Sequence, residues 1–317
     1  MSTRTFETAQ ALQQELAKVI VGQQDVIGHV IVALFARGHV LLEGVPGTAK
    51  TLLVKALALI LAREFRRVQL TPDLMPSDIV GTYVFDLNSG KFTLRKGPIF
   101  TSVLLADEIN RAPAKTQSAL LEGMQERQVT IDGVRHPLDA DFITFATQNP
   151  VEYEGTDPLP EAQLDRFMLK VQVDYLTADE EIVLLLKYHQ GFDADRLEAL
   201  GLQQVATPEA VALCRQEIAA VTVDQSVLGY ISQITRATRE SPHLLLGCSP
   251  RASVMLLQAA KAFAAIQGRS YVNPDDVKAL ALPALRHRIL LRPEADIEGL
   301  TADQVLASTI ERIPVPR

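Results

Sequence analysis

The sequence predicts an α/β domain built on a parallel five-stranded sheet, residues 1–176, followed by a smaller all-helical domain, residues 177–317. Three observations carry this reading. Short apolar runs alternate with helix-period segments as far as residue 173, the pattern of a parallel sheet covered by helices on both faces. A glycine-rich loop, "GVPGTAKT" (44–51), joins the first of those runs to a helix. From residue 177 the strand-like runs give way to helices that carry their own capping signals.

The opening stretch "MSTRTFETAQALQQELAKVI" has the pattern of an amphipathic helix, without the apolar core and cleavage site of a signal peptide. Residues 23–37 show helical periodicity, and Gly38 is expected as the C-cap. "HVLLEG" (39–44) reads as a buried strand, and "KTLLVKALALILA" (50–62) as the helix that follows the glycine loop. Further buried strands are expected at 65–70, 102–107, 142–147 and 167–173, with a helix at 115–127. Two hairpins interrupt the alternation. "YVFDLNSGKFTLRKG" (83–97) turns at Asn88-Ser89-Gly90, and "QVTIDGVRHPL" (128–138) has the Asp132-Gly133 pair that favours a type I′ turn. In the second domain Thr177 and Glu180 form a capping box. Thr207-Pro208, Ser249-Pro250 and Asn273-Pro274 each place a capping side chain before a proline at the first helical position. Residues 227–240 have helical spacing as well.

Composition narrows the class. At 47% hydrophobic residues the chain buries a sizeable core, and with 5% aromatics and no Trp that core is aliphatic. The 31 basic and 38 acidic residues leave a net charge of -7, which disfavours a general nucleic-acid binder. Cys214 and Cys248 stand apart in apolar surroundings, as buried thiols in a reducing compartment do. The longest apolar runs, such as 30–36, fall short of the roughly 20 residues that span a bilayer. A cytoplasmic protein is expected.

The chemistry concentrates in five places. The loop nearly fits G-x-x-x-x-G-K-[ST], with Ala49 where a glycine is usual. Gly44 and Gly47 permit a tight turn, Lys50 supplies a point charge for phosphate, and Thr51 a hydroxyl for Mg²⁺. Ala49 is expected to enter the helix in ordinary right-handed backbone. "SVLLADEIN" ends an apolar strand in Asp107, suited to hold the metal, and Glu108, suited to orient an attacking water. Asn149 follows the strand at 142–147, where the carboxyl ends of parallel strands line a ligand crevice. Arg166, before the last strand, suits a guanidinium aimed at transferring phosphate from a neighbouring subunit; the alternative is a local surface ion pair with Asp165. Arg251 lies in the first turn of a helix, against the helix dipole, which suggests an anionic partner.

In order and spacing these elements resemble an AAA+ ATPase. The loop matches Walker A, "LLADE" Walker B, Asn149 sensor 1, Arg166 the arginine finger and Arg251 sensor 2, while "VIVGQ" (19–23) resembles the segment that packs on adenine. "GVPGTAKT", "ADEINRAP", "ALLEGMQERQVT", "ATQNPVEYEGTDPLPEAQLDRF" and "SPRAS" together resemble the MoxR family, which commonly has alanine at the position of Ala49. The resemblance covers nearly the whole chain. It implies ATP and Mg²⁺ as cofactors, with nucleotide contacts from Val21, Gly22, Gly44, Val45, Pro46, Gly47, Thr48, Ala49, Lys50, Thr51, Leu52 and Arg251. It implies metal contacts from Thr51 and Asp107, and catalysis by Lys50, Glu108, Asn149 and Arg166. The hairpins resemble the helix-2 and pre-sensor-1 inserts of the clade shared with magnesium chelatase. Family members are similar to chaperones that assemble, activate or metallate a client, work as rings, usually hexamers, and often act with a von Willebrand factor A protein. A nucleic-acid translocase, a magnesium-chelatase-like motor and a scaffold without turnover stand as alternatives.

Overall fold

The computed structural model describes residues 3–150 and 159–316. The Thr3 hydroxyl accepts from the Phe6 amide and opens α1 (Arg4–Ala17). There follow α2 (Gln24–Phe35), β1 (Val40–Glu43), α3 (Lys50–Ile60), β2 (Phe65–Gln69) and α4 (Pro76–Val80). The first hairpin is β3 (Gly81–Asp86) with β4 (Lys91–Lys96); β5 (Val103–Asp107) and α5 (Ala114–Glu126) come next. The second hairpin pairs β6 (Gln128–Ile131) with β7 (Val134–Pro137), before β8 (Ile143–Gln148), α6 (Glu161–Leu164) and β9 (Leu169–Gln172).

Five strands form one parallel sheet in the order β2-β5-β8-β1-β9. Residues alternate between its two faces, as pleating requires. Leu42, Leu105, Phe145 and Val171 face one apolar cluster with α2 and α3, while Leu41, Leu104, Ala106 and Ala146 face another with α5. Because the strands are parallel, β1, β5 and β8 all end at one edge, so the glycine loop, Asp107 and Asn149 converge there. The expectation for β2 needs correction. It is the edge strand, and of its five residues Val68 alone is buried, leaving Arg67 and Gln69 exposed beside Asp107.

Both hairpins form where expected. Asp132 and Gly133 have φ of 47° and 79°, as a type I′ turn demands. On the first hairpin Phe85 and Phe92 are exposed and meet edge to face, with ring centroids 5.2 Å apart.

After β9 the chain is helical: α7 (Ala178–His189), α8 (Pro208–Ala220), α9 (Gln225–Glu240), then a short strand β10 (Leu244–Leu246). It continues with α10 (Pro250–Ile266), α11 (Pro274–Leu285), β11 (Leu290–Leu291), α12 (Pro293–Ile297) and α13 (Ala302–Glu311). The Thr177-Glu180 capping box and the caps at Thr207, Ser249 and Asn273 are all made. The all-helical expectation misses the antiparallel β10–β11 ribbon, whose strands are three and two residues long and too short for a periodicity signal. It also misses that α1 packs on α8 and α10, with the Thr5 hydroxyl donating to Glu217 at 2.6 Å. Gly38 is not the C-cap: Arg37 takes the left-handed conformation, φ 58°, and Gly38 is small because a Cβ there would meet Met168 at 2.5 Å. Among the described residues no helix is long and apolar enough to cross a membrane.

Candidate functional site

The phosphate loop joins the carboxyl end of β1, at half-buried Glu43, to the first turn of α3. Gly47 supplies the left-handed turn at φ 83°. Gly44 has a different reason from the tight turn expected: a Cβ would lie 2.3 Å from the Val173 carbonyl. Ala49 also departs from expectation. It is the N-cap of α3 at φ 60°, ψ 17°, the left-handed region, so the residue usual at this point is glycine for backbone reasons. The loop is held by the Thr48 hydroxyl donating to the Val45 carbonyl at 3.0 Å. Lys50 Nζ donates to the carbonyls of Gly44 and Val45 at 2.8 and 2.7 Å and to Thr48 Oγ1 at 3.1 Å. Burial lowers its ammonium from the ordinary value, against the pull of Asp107 and Glu108.

Beside this loop lies a cavity of about 690 Å³, ample for a nucleotide. Gly44, Pro46, Gly47, Thr48, Ala49, Lys50, Thr51 and Leu52 line it, together with Val21, Asp107, Glu108 and Asn149. Val45 and Gly22 do not. Val45 serves through its carbonyl, and Gly22 turns the chain into α2 at φ 63°. At its apolar end are Val19, Val21, Leu185, Tyr188 and Phe192, the last two rings 5.2 Å apart.

Asp107 and Glu108 are tied into a network that the sequence does not announce. Asp107 accepts from the Thr147 hydroxyl on one oxygen, and from Arg67 Nε and Nη2 at 3.0 and 2.6 Å on the other. Glu108 stands in left-handed backbone, φ 58°, its amide donating to Thr147 Oγ1 at 2.8 Å. Its carboxylate accepts from Gln69 at 2.6 Å and Arg111 at 3.0 Å. The signal for Arg67 and Gln69 lies in register alone: Gln69 pairs with Asp107 across β2 and β5. A non-glycine residue held in this backbone is a common device at functional sites.

Arg166 and Arg251 are elsewhere. They line a second, smaller cleft of about 160 Å³ that among the described residues shares no lining residue with the first. Arg251, expected at the nucleotide, does not line the nucleotide cavity of its own chain. Nor does Arg166 pair with Asp165. That carboxylate accepts from Arg288 Nε at 2.7 Å, and the Arg288 side chain, 1% exposed, also donates to the carbonyls of Ala284, Asp165 and Phe167. Residues 151–158, part of the family-like segment, lie outside the described residues.

The donors and acceptors fit a magnesium nucleotide. Lys50 has three bonds to its own loop that phosphate oxygens can take over, and Thr51 and Asp107 bring a hydroxyl and a carboxylate to one wall. Comparison with known proteins agrees. Residues 39–169 match the ATPase family associated with various cellular activities (AAA), and residues 236–309 match the AAA lid domain. The uncharacterized protein YeaC of Bacillus subtilis is 44% identical over 96% of this chain and 93% of its own length. Chaperone MoxR1 of Mycobacterium tuberculosis is 41% identical over 96% of this chain and 81% of its own. A crystal structure from Cytophaga hutchinsonii, described as a candidate ATPase, superposes with a TM-score of 0.89 at 41% identity, covering 99% of this chain and 97% of that one. Likeness at this level runs from the phosphate loop through the closing helices, and on it the chain belongs to the MoxR family of AAA+ ATPases, as an ATP hydrolase.

Proposed function

We propose that this chain works as an oligomeric ring, a hexamer by family resemblance, that spends ATP hydrolysis on remodelling, assembling or activating a partner protein. Residues 1–176 would bind the nucleotide and residues 177–317 serve as its lid. The observation that carries the ring is the separation of Arg166 and Arg251 from the nucleotide cavity of their own chain. A transferring phosphoryl group needs a guanidinium near its developing charge. In the chain's own site Arg67 pairs with Asp107 and Arg111 with Glu108, and a neighbour's Arg166 and Arg251 would add the guanidiniums that the transferring phosphate needs.

Thr51 and Asp107 would hold Mg²⁺, which neutralises charge on the phosphate oxygens. Lys50 releases its loop carbonyls to the β and γ oxygens. Glu108, held by Gln69 and Arg111 on Oε2, would turn its other oxygen to the water, and Asn149 lies on the same cavity to steady it. Val21, Tyr188 and Phe192 offer the apolar surface that a purine base needs.

The relative named Chaperone MoxR1 supports a protein client, and the net charge of -7 supports a protein over a nucleic acid. A client with a von Willebrand factor A domain, and activation that includes metal-cofactor insertion, are the specific forms proposed, in the cytoplasm. Glu108→Gln with ATP and Mg²⁺ tests this directly, because it should bind ATP, barely turn it over, and retain its client for identification. Recovery of a von Willebrand factor A protein supports the reading, and recovery of nucleic acid overturns it.

A further inference from the structure

The second cleft holds more positive charge than an arginine finger requires. Besides Arg166 and Arg251 it is lined by Arg37 and Arg127, and among the described residues no acidic side chain lines it. His39, on the same wall, adds none: Nδ1 accepts from the Thr144 amide, Nε2–H donates to the Met124 carbonyl, and burial brings its pKa down to about 4. Among the described residues the guanidiniums of Arg37, Arg166 and Arg251 make no hydrogen bond or ion pair, and Arg127 donates to the Ala140 carbonyl. Arg127 has Asp139 and Asp141 behind it, and Asp141 is already shared between Arg63 and Arg215. Four arginines line a cleft of about 160 Å³, and burial together with the Arg37 charge holds the Arg127 guanidinium below its ordinary value, a repulsion that an anion among them would relieve. Arg37 and Arg127 also stand in left-handed backbone, φ 58° and 52°, a conformation that side-chain-bearing residues rarely adopt and that recurs at functional sites.

We propose that Arg37 and Arg127 join Arg166 and Arg251 in gripping the terminal phosphates of the nucleotide held by the next copy of this chain. This rests on the ring reading above. The cleft is small and walled by Met124, Met168 and Met255, so it takes a phosphate group and not the extended backbone of a nucleic acid. Arg37 comes from the turn after α2, Arg127 from the end of α5, Arg166 from the turn before β9 and Arg251 from the start of α10. Four separate elements thus meet at one anion site, and any shift of α10 against the sheet changes its geometry. Hydrolysis in one subunit is then set by how the helices of its neighbour are seated.

The test uses Arg37→Ala, whose side chain is exposed, with Arg127→Gln as a second variant. Each is expected to bind a fluorescent ATP analogue within about twofold of wild type, and to lose hydrolysis by about tenfold or more. Mixed one to one with Lys50→Ala subunits, which keep the cleft but not the phosphate-loop cation, each should recover about a quarter of the wild-type rate, because one interface in four pairs an intact site with an intact cleft. Arg166→Ala mixed with Lys50→Ala is the control. Wild-type turnover by Arg37→Ala and Arg127→Gln alone, or no recovery on mixing while the control pair recovers, overturns the inference and leaves the ring standing. If no pair recovers, the ring reading itself fails and the inference with it. Binding of a single-stranded oligonucleotide by Lys50→Ala protein, abolished by Arg37→Ala, assigns the cleft to nucleic acid and also overturns it.

Discussion

Replacing Asp165 by alanine strands a buried cation. Arg288 is 1% exposed and Asp165 is 21% exposed, and the pair is 2.7 Å apart. Burial pulls the Arg288 guanidinium below its ordinary value, and Asp165 opposes that pull. Breaking a buried pair by removing one partner costs about 3–5 kcal/mol. Three carbonyls, of Ala284, Asp165 and Phe167, still accept from Arg288, so the low end applies, about 3 kcal/mol. Against a total of about 5–15 kcal/mol that is a large loss. In urea denaturation it lowers the midpoint by about 1 M, taking a slope of about 3 kcal/mol per M. The double variant Asp165→Ala, Arg288→Met, with no charge left to bury, should recover most of the loss. If Asp165→Ala alone costs under about 1 kcal/mol, or the double variant is worse than the single, the pair is not what fixes the turn carrying Arg166 to the end of α11.

Three further outcomes follow from the geometry. Ala49→Gly should keep ATP affinity and stability within about 1 kcal/mol, since relief of left-handed strain offsets glycine's chain entropy, whereas the β-branched Ala49→Val should cost about 2 kcal/mol or more; thermal melts with and without ATP compare them. Arg67→Gln removes the cation that would compete with the proposed Mg²⁺ for Asp107, so half-saturation by Mg²⁺ in ATP-binding titrations should fall by up to about fivefold, the ceiling for a part-exposed pair. His39 is held neutral, its pKa brought from 6.5 to about 4, so the folded state binds fewer protons than the unfolded chain. The stability this confers is full above pH 6.5 and is lost as pH falls toward 4, about 2 kcal/mol of it between pH 7 and pH 5, and a His39→Gln variant should show a shallower acid decline in denaturation curves.

What was legible in the sequence was local. The phosphate loop, Asp107, Glu108 and Asn149 each sit at the end of an apolar strand, and a parallel sheet brings such ends to one edge without further information. The caps at Thr177, Thr207, Ser249 and Asn273 were readable for the same reason. What was missed depends on register and distance. Arg67 and Gln69 matter because β2 lies beside β5, a pairing that no pattern within 65–70 reveals. Arg288 meets Asp165 across 123 positions, and so the adjacent Asp165-Arg166 pairing, the obvious local one, does not form. The place of Arg251 in the first turn of a helix points to an anion without saying in which chain, and it is the seating of α10 that puts it in the cleft with Arg166. Positive φ at Arg37 and Ala49 was hidden, because neither residue is a glycine and the signal for such backbone is compositional.

The central claim is that a complete site needs two copies of the chain. Turnover per subunit, measured across a dilution series in which single-molecule mass reports monomer and oligomer, tests it most directly. The account predicts that turnover tracks the oligomer fraction and vanishes in the monomer, while ATP binding persists in both. Full turnover by monomers would contradict it.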